Sequence, residues 1–219
     1  MNTIKTFFER LGPEMAAHTA EHLGLVLSAM FFSLIIALPI GVFLAKTRRK
    51  RLVSFILGAA GVIQTVPSLA LISLIVVVFA FLGLPTIGFF PAVTALVLYS
   101  LLPIMRNTYT GINQVAPSIV EVATGMGMKP GQILLKIELP LSIPVIMAGI
   151  RISTVWTIGV ATLVGLIGAG GLGNLIIRGL RSFHMDYILA GTLPAAALAL
   201  VFDAVLSAVE KALTPPGIK

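Results

Sequence analysis

Apolar segments of bilayer-spanning length alternate with short polar segments over most of this chain. An α-helix needs about 20 predominantly apolar residues to cross the hydrocarbon core of a membrane. The segments that meet this requirement are residues 23–45, 52–82, 89–108, 141–167 and 186–209. The pattern therefore predicts an all-α, polytopic membrane protein with five transmembrane helices, in which residues 23–210 form a single domain.

The second apolar segment, residues 52–82, is too long for one straight span. Two spans in a hairpin would place Arg106, Lys129 and Lys136 on the outer side, against the usual distribution of positive charge. We therefore predict one span, broken near residues 64–67 because a proline there lacks a backbone donor. Broken backbone is tolerated in a bilayer where it lines a cavity, although a plain proline kink explains the pattern equally well. The candidate pathway residues in this segment are Gln64, Thr65, Pro67 and Ser68.

The composition excludes a soluble domain, and the distribution of charge predicts which ends of the spans face the cytoplasm. Hydrophobic residues make up 58% of the chain and charged residues 11%, with a mean hydropathy of +1.06. In such a chain the net charge of +7 indicates cytoplasmic loops rather than affinity for nucleic acid. The five cations within residues 46–51 predict a cytoplasmic loop after the first span, hence an outer N-terminus and a cytoplasmic tail at 211–219. Of the 15 Lys and Arg residues, this topology places ten inside, four outside and Arg151 in the membrane.

Residues 1–22 are predicted to form an amphipathic helix on the outer membrane surface. The charges within this segment argue against a secretory signal peptide. His18 and His22 share a helix face, but the metalloprotease pattern needs Glu directly after the first His, and Thr19 stands there. We therefore expect interfacial polar residues rather than a metal site, and the chain has no cysteine to supply a thiolate ligand.

A charged residue, Arg151, lies within the fourth predicted span. Such a residue costs about 2.5–3.5 kcal/mol on insertion scales and is normally paired or faces water. Asp203 in the fifth span has the same estimated depth, about 10 Å from the inner surface at about 1.5 Å per residue. The sequence therefore predicts an intramembrane ion pair between Arg151 and Asp203 that fixes the packing of the two helices.

Residues 168–173 read GAGGLG, which matches the spacing of a dinucleotide-binding glycine motif. That motif requires a preceding β-strand, whereas this one follows a membrane span. We expect an outer loop and a short re-entrant helix at residues 172–180, placed to gate a passage or to contact a delivery protein. A solvated outer surface is an equally good interpretation.

Residues 117–140 interrupt the apolar pattern between the third and fourth spans and are predicted to form a hairpin of two short helices. Ser118 and Glu121 have capping-box spacing for the first helix. We expect that helix to end at Gly125 and Gly127. The second helix is expected to end near Pro140. A compact hairpin of this kind can dock into a groove on a soluble partner, although an ordinary connecting loop fits the periodicity as well.

The same hairpin carries a long motif, E-x-A, three residues, G, nine residues, I-x-L-P, and its fixed positions are Glu121, Ala123, Gly127, Ile137, Leu139 and Pro140. This arrangement resembles the EAA loop of ABC-importer permeases. Val122 stands where that loop usually has its first alanine, which keeps a small apolar residue there. The resemblance implies that these residues, Val122 included, couple the membrane domain to separate ATP-binding cassette ATPase subunits.

Three further segments, residues 64–70, 101–109 and 167–173, are similar to osmoprotectant permeases for glycine betaine, carnitine or choline. Amino-acid and methionine permeases share parts of these segments, so they remain the alternative. The resemblance implies a type I ABC-importer permease fold in a bacterial cytoplasmic membrane. It also implies three kinds of partner besides membrane lipid: the ATPase subunits, a second permease copy or paralogue, and an extracytoplasmic substrate-binding protein.

The chain contains no G-x-x-x-x-G-K-[ST] phosphate loop and no credible catalytic set within its spans. We therefore expect no enzyme activity and no cofactor of its own. A secondary transporter would need no ATPase and often has inverted repeats, which we do not find here, and a channel would need no coupling hairpin.

An osmoprotectant of this class carries a quaternary ammonium, which favours aromatic faces. Trp156, Tyr99 and Tyr109 are the aromatic residues with polar tips near the predicted spans. We take Trp156 and Tyr99 as candidate pathway residues, with the hypothesis that Trp156 lines the passage. Packing in the core is the alternative for Trp156.

Overall fold

The computed structural model describes the backbone of residues 2–215 and the side chains of residues 5–215, and every regular element in it is a helix. Residue 1 of the predicted surface segment and residues 216–219 of the predicted tail lie outside the described residues. The helices are α1 (Asn2–Lys46), α2 (Lys50–Thr65), α3 (Ser68–Phe81), α4 (Phe89–Asn113), α5 (Pro117–Gly125), α6 (Pro130–Ile133), α7 (Leu139–Ala161), α8 (Leu172–Ser182) and α9 (Met185–Leu213). A π-helical turn at Leu134–Glu138 joins α6 to α7, and a 3₁₀ turn at Leu163–Ile167 follows α7.

Within the described residues, four continuous helices are long and apolar enough to cross a membrane. They are Lys5–Lys46, Phe89–Asn113, Pro130–Ala161 and Met185–Leu213. The predicted break at residues 64–67 is present, since α2 ends at Thr65, α3 begins at Ser68 and their axes are bent by 105°. Counted as one unit, α2 and α3 are apolar and long enough to make a fifth candidate span.

The helix boundary predicted at residue 22 is wrong, because α1 runs without interruption from Asn2 to Lys46. The sequence assigned the apolar face of residues 1–22 to the membrane surface. In the structure Leu11 is only 2% exposed and packs in a cluster with Leu172 of α8 and Ala190 of α9. Residues of α8 and α9, rather than lipid, therefore cover part of that apolar face. The segment can then continue in line with the first span instead of lying on the membrane surface.

The centre of the bundle is formed by α1, α4 and α7, which approach each other closely through small residues. A side chain at Gly41 of α1 would lie 2.6 Å from Thr108, and one at Gly149 of α7 would lie 2.6 Å from Asn107. Hydroxyl groups join the same helices, since Ser153 donates to the backbone oxygen of Ser100 at 3.0 Å. Close backbone approach and interhelical hydrogen bonds are the usual means of helix association in lipid.

The predicted end of the second hairpin helix near Pro140 is also wrong. The chain stays helical from Pro130 to Ala161 and passes through the proline. The N–H of Leu139 donates to the oxygen of Leu134, five residues back, which is the hydrogen bond of a π turn. Pro140 then occupies the first turn of α7, where its missing N–H costs little. The second helix of the hairpin and the fourth span are therefore one continuous helical rod, Pro130–Ala161.

Candidate functional sites

The first helix of the hairpin, α5, begins differently from the predicted capping box. Pro117 is its first residue, and Ala116 stands at the N-cap without a side-chain cap. Ser118 thus lies inside the helix, where its hydroxyl cannot cap the first N–H groups. Glu121 is exposed and has no ion pair among the described residues, so its carboxylate is free to meet a partner.

The end of α5 depends on Gly127, whose φ of +80° is left-handed. Its N–H donates to the oxygen of Thr124 at 2.9 Å, and the N–H of Met128 donates to the oxygen of Ala123 at 3.1 Å. These two bonds define a Schellman motif, in which glycine is strongly preferred. Gly125 is the last residue of the helix and needs no special conformation.

The hairpin presents an apolar surface that no described residue covers. Val122 is 64% exposed and Met126 is 77% exposed. With Ile137 from the π turn and Ala123, which is buried beneath, they line a surface cavity of about 430 Å³. Of the remaining motif residues, Leu139 and Pro140 are half-buried at the start of α7. The structure thus gathers the motif at one end of the molecule as an apolar projection with one free carboxylate.

A contact that the sequence did not predict ties this hairpin to the first span. Glu138 of the π turn is 5% exposed and forms an ion pair with Lys46, the last residue of α1. Its backbone oxygen also accepts a hydrogen bond from the hydroxyl of Ser142 at 2.5 Å. The signal available in the sequence was a lone acidic residue within the otherwise apolar I-E-L-P end of the motif.

Three of the six candidate pathway residues converge at the break between α2 and α3. Gln64 donates its side-chain N–H to the backbone oxygen of Tyr99 at 2.9 Å. The hydroxyl of Tyr99 donates to the oxygen of Val66, a carbonyl near the break. A cavity of about 140 Å³ is lined by Gln64, Tyr99, Pro103, Ile152, Ser153, Trp156 and Thr157. The broken backbone therefore lies beside a space bordered by aromatic and polar side chains.

The other three candidates do not line this cavity. The hydroxyl of Thr65 donates to the oxygen of Val62 at 2.7 Å within its own helix, and Thr65 and Pro67 are exposed. Ser68 is half-buried at the start of α3 and does not line the cavity, but its side chain forms a hydrogen bond with Tyr99, which does. Trp156, by contrast, is 64% exposed, so packing inside this chain does not account for it.

Arg151 and Asp203 lie in direct contact. The guanidinium of Arg151 donates from Nε to Oδ1 of Asp203 at 3.0 Å and from Nη2 to Oδ2 at 3.1 Å, a bidentate geometry. The sequence analysis missed Glu210, which accepts from Nη1 of the same guanidinium at 3.1 Å. Glu210 is seven residues after Asp203, two helical turns along the same face of α9, and that spacing was the available signal.

Two members of this triad, Arg151 and Asp203, line a larger surface cavity between α7 and α9. The cavity has a volume of about 460 Å³ and includes Arg151, Asp203 and the ring of Trp156. Trp156 thus borders both this cavity and the smaller one beside Tyr99. The indole is the only side chain with a polar tip that the two spaces share.

At the opposite end of the molecule, α1 holds the glycine-rich loop at residues 168–173. The carboxylate of Glu21 accepts from the backbone N–H of Gly171 at 2.8 Å and contacts His18 Nδ1 at 2.9 Å. His22 is fully buried, with its Nε2 at 3.2 Å from the oxygen of Ile158. Among the described residues no group of His, Asp or Glu side chains is arranged to hold a metal ion.

The loop is preceded by the 3₁₀ turn rather than a strand, which excludes the dinucleotide-binding arrangement. The short helix expected at residues 172–180 is α8, which extends to Ser182 and packs against α9. At its rim Arg178 binds Glu14 at 2.7 Å and lies over the ring of Tyr187 at 4.1 Å. This end of the molecule is therefore a linked structure of α1, α8 and α9.

Comparisons with known proteins place this geometry in context. Residues 37–215 match the family model described as "Binding-protein-dependent transport system inner membrane component". The carnitine transport permease protein OpuCB of Listeria monocytogenes is 43% identical over 100% of this chain and 97% of its own length. The osmoprotectant import permease protein OsmW of Salmonella typhimurium is 41% identical over 100% of both chains.

Solved structures support the fold. A chain of the MetNI methionine ABC transporter in an inward-facing conformation matches with a TM-score of 0.83 at 21% identity, covering 94% of this chain and 99% of that chain. The fold is accordingly that of a type I ABC-importer permease. At this level of identity the likeness speaks for the fold alone.

Proposed function

This chain belongs to the family of binding-protein-dependent transport system inner membrane components, and we propose that it forms the passage for a small osmoprotectant in an ATP-driven importer. The observation that carries the proposal is the likeness over the full chain to permeases named for such solutes. A Bacillus subtilis relative that is 42% identical over the whole of this chain is named for glycine betaine, carnitine and choline. These solutes share a quaternary ammonium, and we take that group as the feature of the substrate.

The exposed apolar hairpin is the proposed seat of the ATPase subunit. An amphipathic helix that inserts into a groove uses anchors on one face, and Ile119, Val122 and Met126 have that spacing on α5. Each of the three is at least 42% exposed. The free carboxylate of Glu121 lies on the same helix and supplies a charged contact at the rim.

The continuous rod from Pro130 to Ala161 gives the hairpin a direct mechanical link to the passage. Its 32 residues span roughly 48 Å at about 1.5 Å per residue. Movement of the hairpin therefore displaces Arg151 and Trp156, which lie on the same rod. We propose that closure of the ATPase subunits rocks this rod and the helices packed on it between outward-open and inward-open states.

Gln64, Tyr99 and Trp156 are the proposed wall of the passage. The indole of Trp156 offers a cation-attracting face, and Tyr99 and Gln64 supply polar groups beside the broken backbone. A quaternary ammonium has no N–H to donate, so weak aromatic contact allows it to pass without being trapped. Selectivity then belongs mainly to the substrate-binding protein that delivers the solute.

The proposed assembly contains two permease chains, two ATPase subunits and a substrate-binding protein on the outer side. The described residues of one chain offer at most five candidate spans around small, open cavities, so we expect a second copy or a paralogue to complete the passage. The N-terminus lies outside and the C-terminus inside in this proposal. That orientation is supported by the cations of the α1–α2 turn, which lies at the same end of the bundle as the hairpin because Lys46 binds Glu138.

The proposal is tested by purifying the chain from its host with its partners and identifying the solute held by the co-purifying binding protein. We expect an ATPase subunit in the complex and a quaternary ammonium compound on the binding protein. Reconstituted complexes should take up that solute only with ATP. A binding protein loaded with methionine would overturn the substrate class, and ATP-independent uptake by the chain alone would overturn the importer.

A further inference from the structure

Four consecutive cations, Arg48 to Arg51, occupy the turn between α1 and α2 and the first two residues of α2, and the bundle leaves them unpaired. We call this segment the α1–α2 turn. None of the four side chains has a carboxylate within ion-pair distance among the described residues. The neighbouring Lys46 behaves differently, since it binds Glu138. The protein therefore satisfies the cation that faces the bundle and leaves the next four available to another molecule.

These cations surround a space with an apolar floor. A surface cavity of about 580 Å³ is lined by Arg48, Arg49, Lys50, Arg51, Leu52 and Phe55. Phe55 is 73% exposed although it stands one turn into α2. A site that joins several cations to an exposed aromatic ring suits a ligand with an anionic group and an apolar chain.

The position of the turn in the membrane indicates which class of ligand it would bind. It connects the end of one membrane span to the start of another, so it lies at the depth where phospholipid headgroups lie. Guanidinium groups bind phosphate oxygens through paired N–H donors, and a cation near an anionic surface contributes about 1 kcal/mol of attraction. The rule that loop cations set topology accounts for the sign of these charges, and an anionic headgroup would in addition give the four unpaired side chains a partner.

We propose that the α1–α2 turn is a binding site for an anionic phospholipid such as phosphatidylglycerol. The phosphate lies among Arg48, Arg49 and Arg51, and an acyl chain lies along Phe55. This site is separate from the passage and from the hairpin surface, and it does not depend on the transported solute. Because Lys46 joins the same turn to Glu138, a lipid bound there contacts the structure that anchors the hairpin.

The test measures lipid retention by the purified chain. The chain is incubated with detergent micelles containing equal amounts of phosphatidylglycerol and phosphatidylcholine, washed, and its retained lipid is extracted and quantified by mass spectrometry. We expect selective retention of phosphatidylglycerol by the unaltered chain. Arg48→Gln with Arg49→Gln should lower it by about fivefold for each cation removed.

The matched control is Lys129→Gln with Lys136→Gln, which removes two unpaired cations from the hairpin segment and should leave retention unchanged. Phe55→Ser keeps every charge and is expected to lower retention of the lipid while leaving the affinity for soluble glycerol phosphate as it was. Size-exclusion profile and thermal unfolding report folding of each variant. Because Phe55→Ser alters no topology-setting charge, it tests the site even if the double arginine variant fails to fold.

Three results would overturn the proposal. Equal retention by the unaltered chain and Arg48→Gln/Arg49→Gln would exclude the turn as the site. An equal loss in the lysine control would indicate diffuse attraction to positive charge. Displacement of the lipid by inorganic phosphate or glycerol phosphate at comparable concentration, with no effect of Phe55→Ser, would indicate a site for free anions.

Discussion

Lys46 and Glu138 form an ion pair that joins the end of α1 to the π turn that immediately precedes α7. The two ends of this pair differ in burial, since the side chain of Glu138 is 7% exposed and that of Lys46 is 41% exposed. The carboxylate therefore depends on the ammonium, whereas the ammonium can reach water when the carboxylate is removed. The pair holds the hairpin against the first span at a point where the backbone has just departed from α-helical geometry.

We expect Lys46→Met to destabilise the chain much more than Glu138→Gln. Removing the lysine leaves a buried carboxylate without a partner, which costs about 3–5 kcal/mol, whereas the glutamine variant leaves a lysine that can be hydrated. Thermal unfolding in detergent measures the order. Lys46→Met with Glu138→Leu should recover stability relative to Lys46→Met alone, and equal destabilisation by the two single changes would contradict the asymmetry.

The Arg151 triad predicts that charge reversal gives only partial rescue. Arg151→Glu should be strongly destabilising because three carboxylates then meet, and adding Asp203→Arg should recover part of the lost stability. Recovery is incomplete because Glu210 then lies beside the new carboxylate at position 151. Glu210→Gln in the swapped background should restore more.

The readout for the triad is the midpoint of thermal unfolding together with yield from the membrane. Glu210→Gln in the unaltered chain serves as the control and should have a small effect, because the bidentate contact with Asp203 remains. Full rescue by the double reversal without the Glu210 change would show that Glu210 adds nothing.

The sequence predicted the spans, the break at residues 64–67 and the partner of Arg151, because each leaves a linear signal. The length of an apolar segment, the position of a proline and the equal depth of Arg151 and Asp203 can all be read directly from residue numbers. Glu210 left a linear signal as well, because it follows Asp203 by seven residues and so lies on the same face of α9.

Three other features of the fold could not be predicted from residue numbers, because they depend on tertiary contacts or on a local change of backbone geometry. Lys46 and Glu138 are 92 residues apart, and no local pattern links them. The uninterrupted course of α1 depends on α8 and α9 covering Leu11, which only tertiary packing reveals. The helix continues through Pro140 because a π turn precedes it, and that backbone adjustment has no composition of its own.

The hydroxyl of Tyr99 satisfies the oxygen of Val66 near the break between α2 and α3. We expect Tyr99→Phe to destabilise the chain by about 0.5–1.5 kcal/mol, since the carbonyl of the half-buried Val66 then lacks its donor. Tyr109→Phe is the matched control, because its hydroxyl has no hydrogen-bond partner among the described residues. Denaturant or thermal unfolding measures both, and equal stability of the two variants would contradict the role of Tyr99 at the break.

Gly127 tests whether the shape of the hairpin carries the coupling. Alanine at its φ of +80° costs about 1–2 kcal/mol locally, so Gly127→Ala should distort the end of α5. We expect uptake per ATP hydrolysed to fall while the yield of folded chain is kept. Gly125→Ala lies in helical geometry with nothing within 4 Å of its added carbon, so it should be neutral or slightly stabilising. Loss of uptake in both variants alike would point away from the left-handed turn.

Trp156 is the only tryptophan in the chain, so its fluorescence reports one position beside both cavities. If a quaternary ammonium passes along the indole, adding choline or glycine betaine to the purified chain should quench or shift the emission at high concentration.

Trp156→Phe keeps an aromatic face and should retain most of the uptake, whereas Trp156→Leu removes the cation–π contact, which contributes about 0.5–2 kcal/mol. Uptake by the reconstituted complex is therefore expected to fall up to about thirtyfold with leucine, at a free-energy conversion of about 1.4 kcal/mol per tenfold. The neutral, isosteric 3,3-dimethylbutanol lacks the cation and should leave the emission unchanged. Equal uptake by the phenylalanine and leucine variants would remove Trp156 from the passage and leave the assignment of the family untouched.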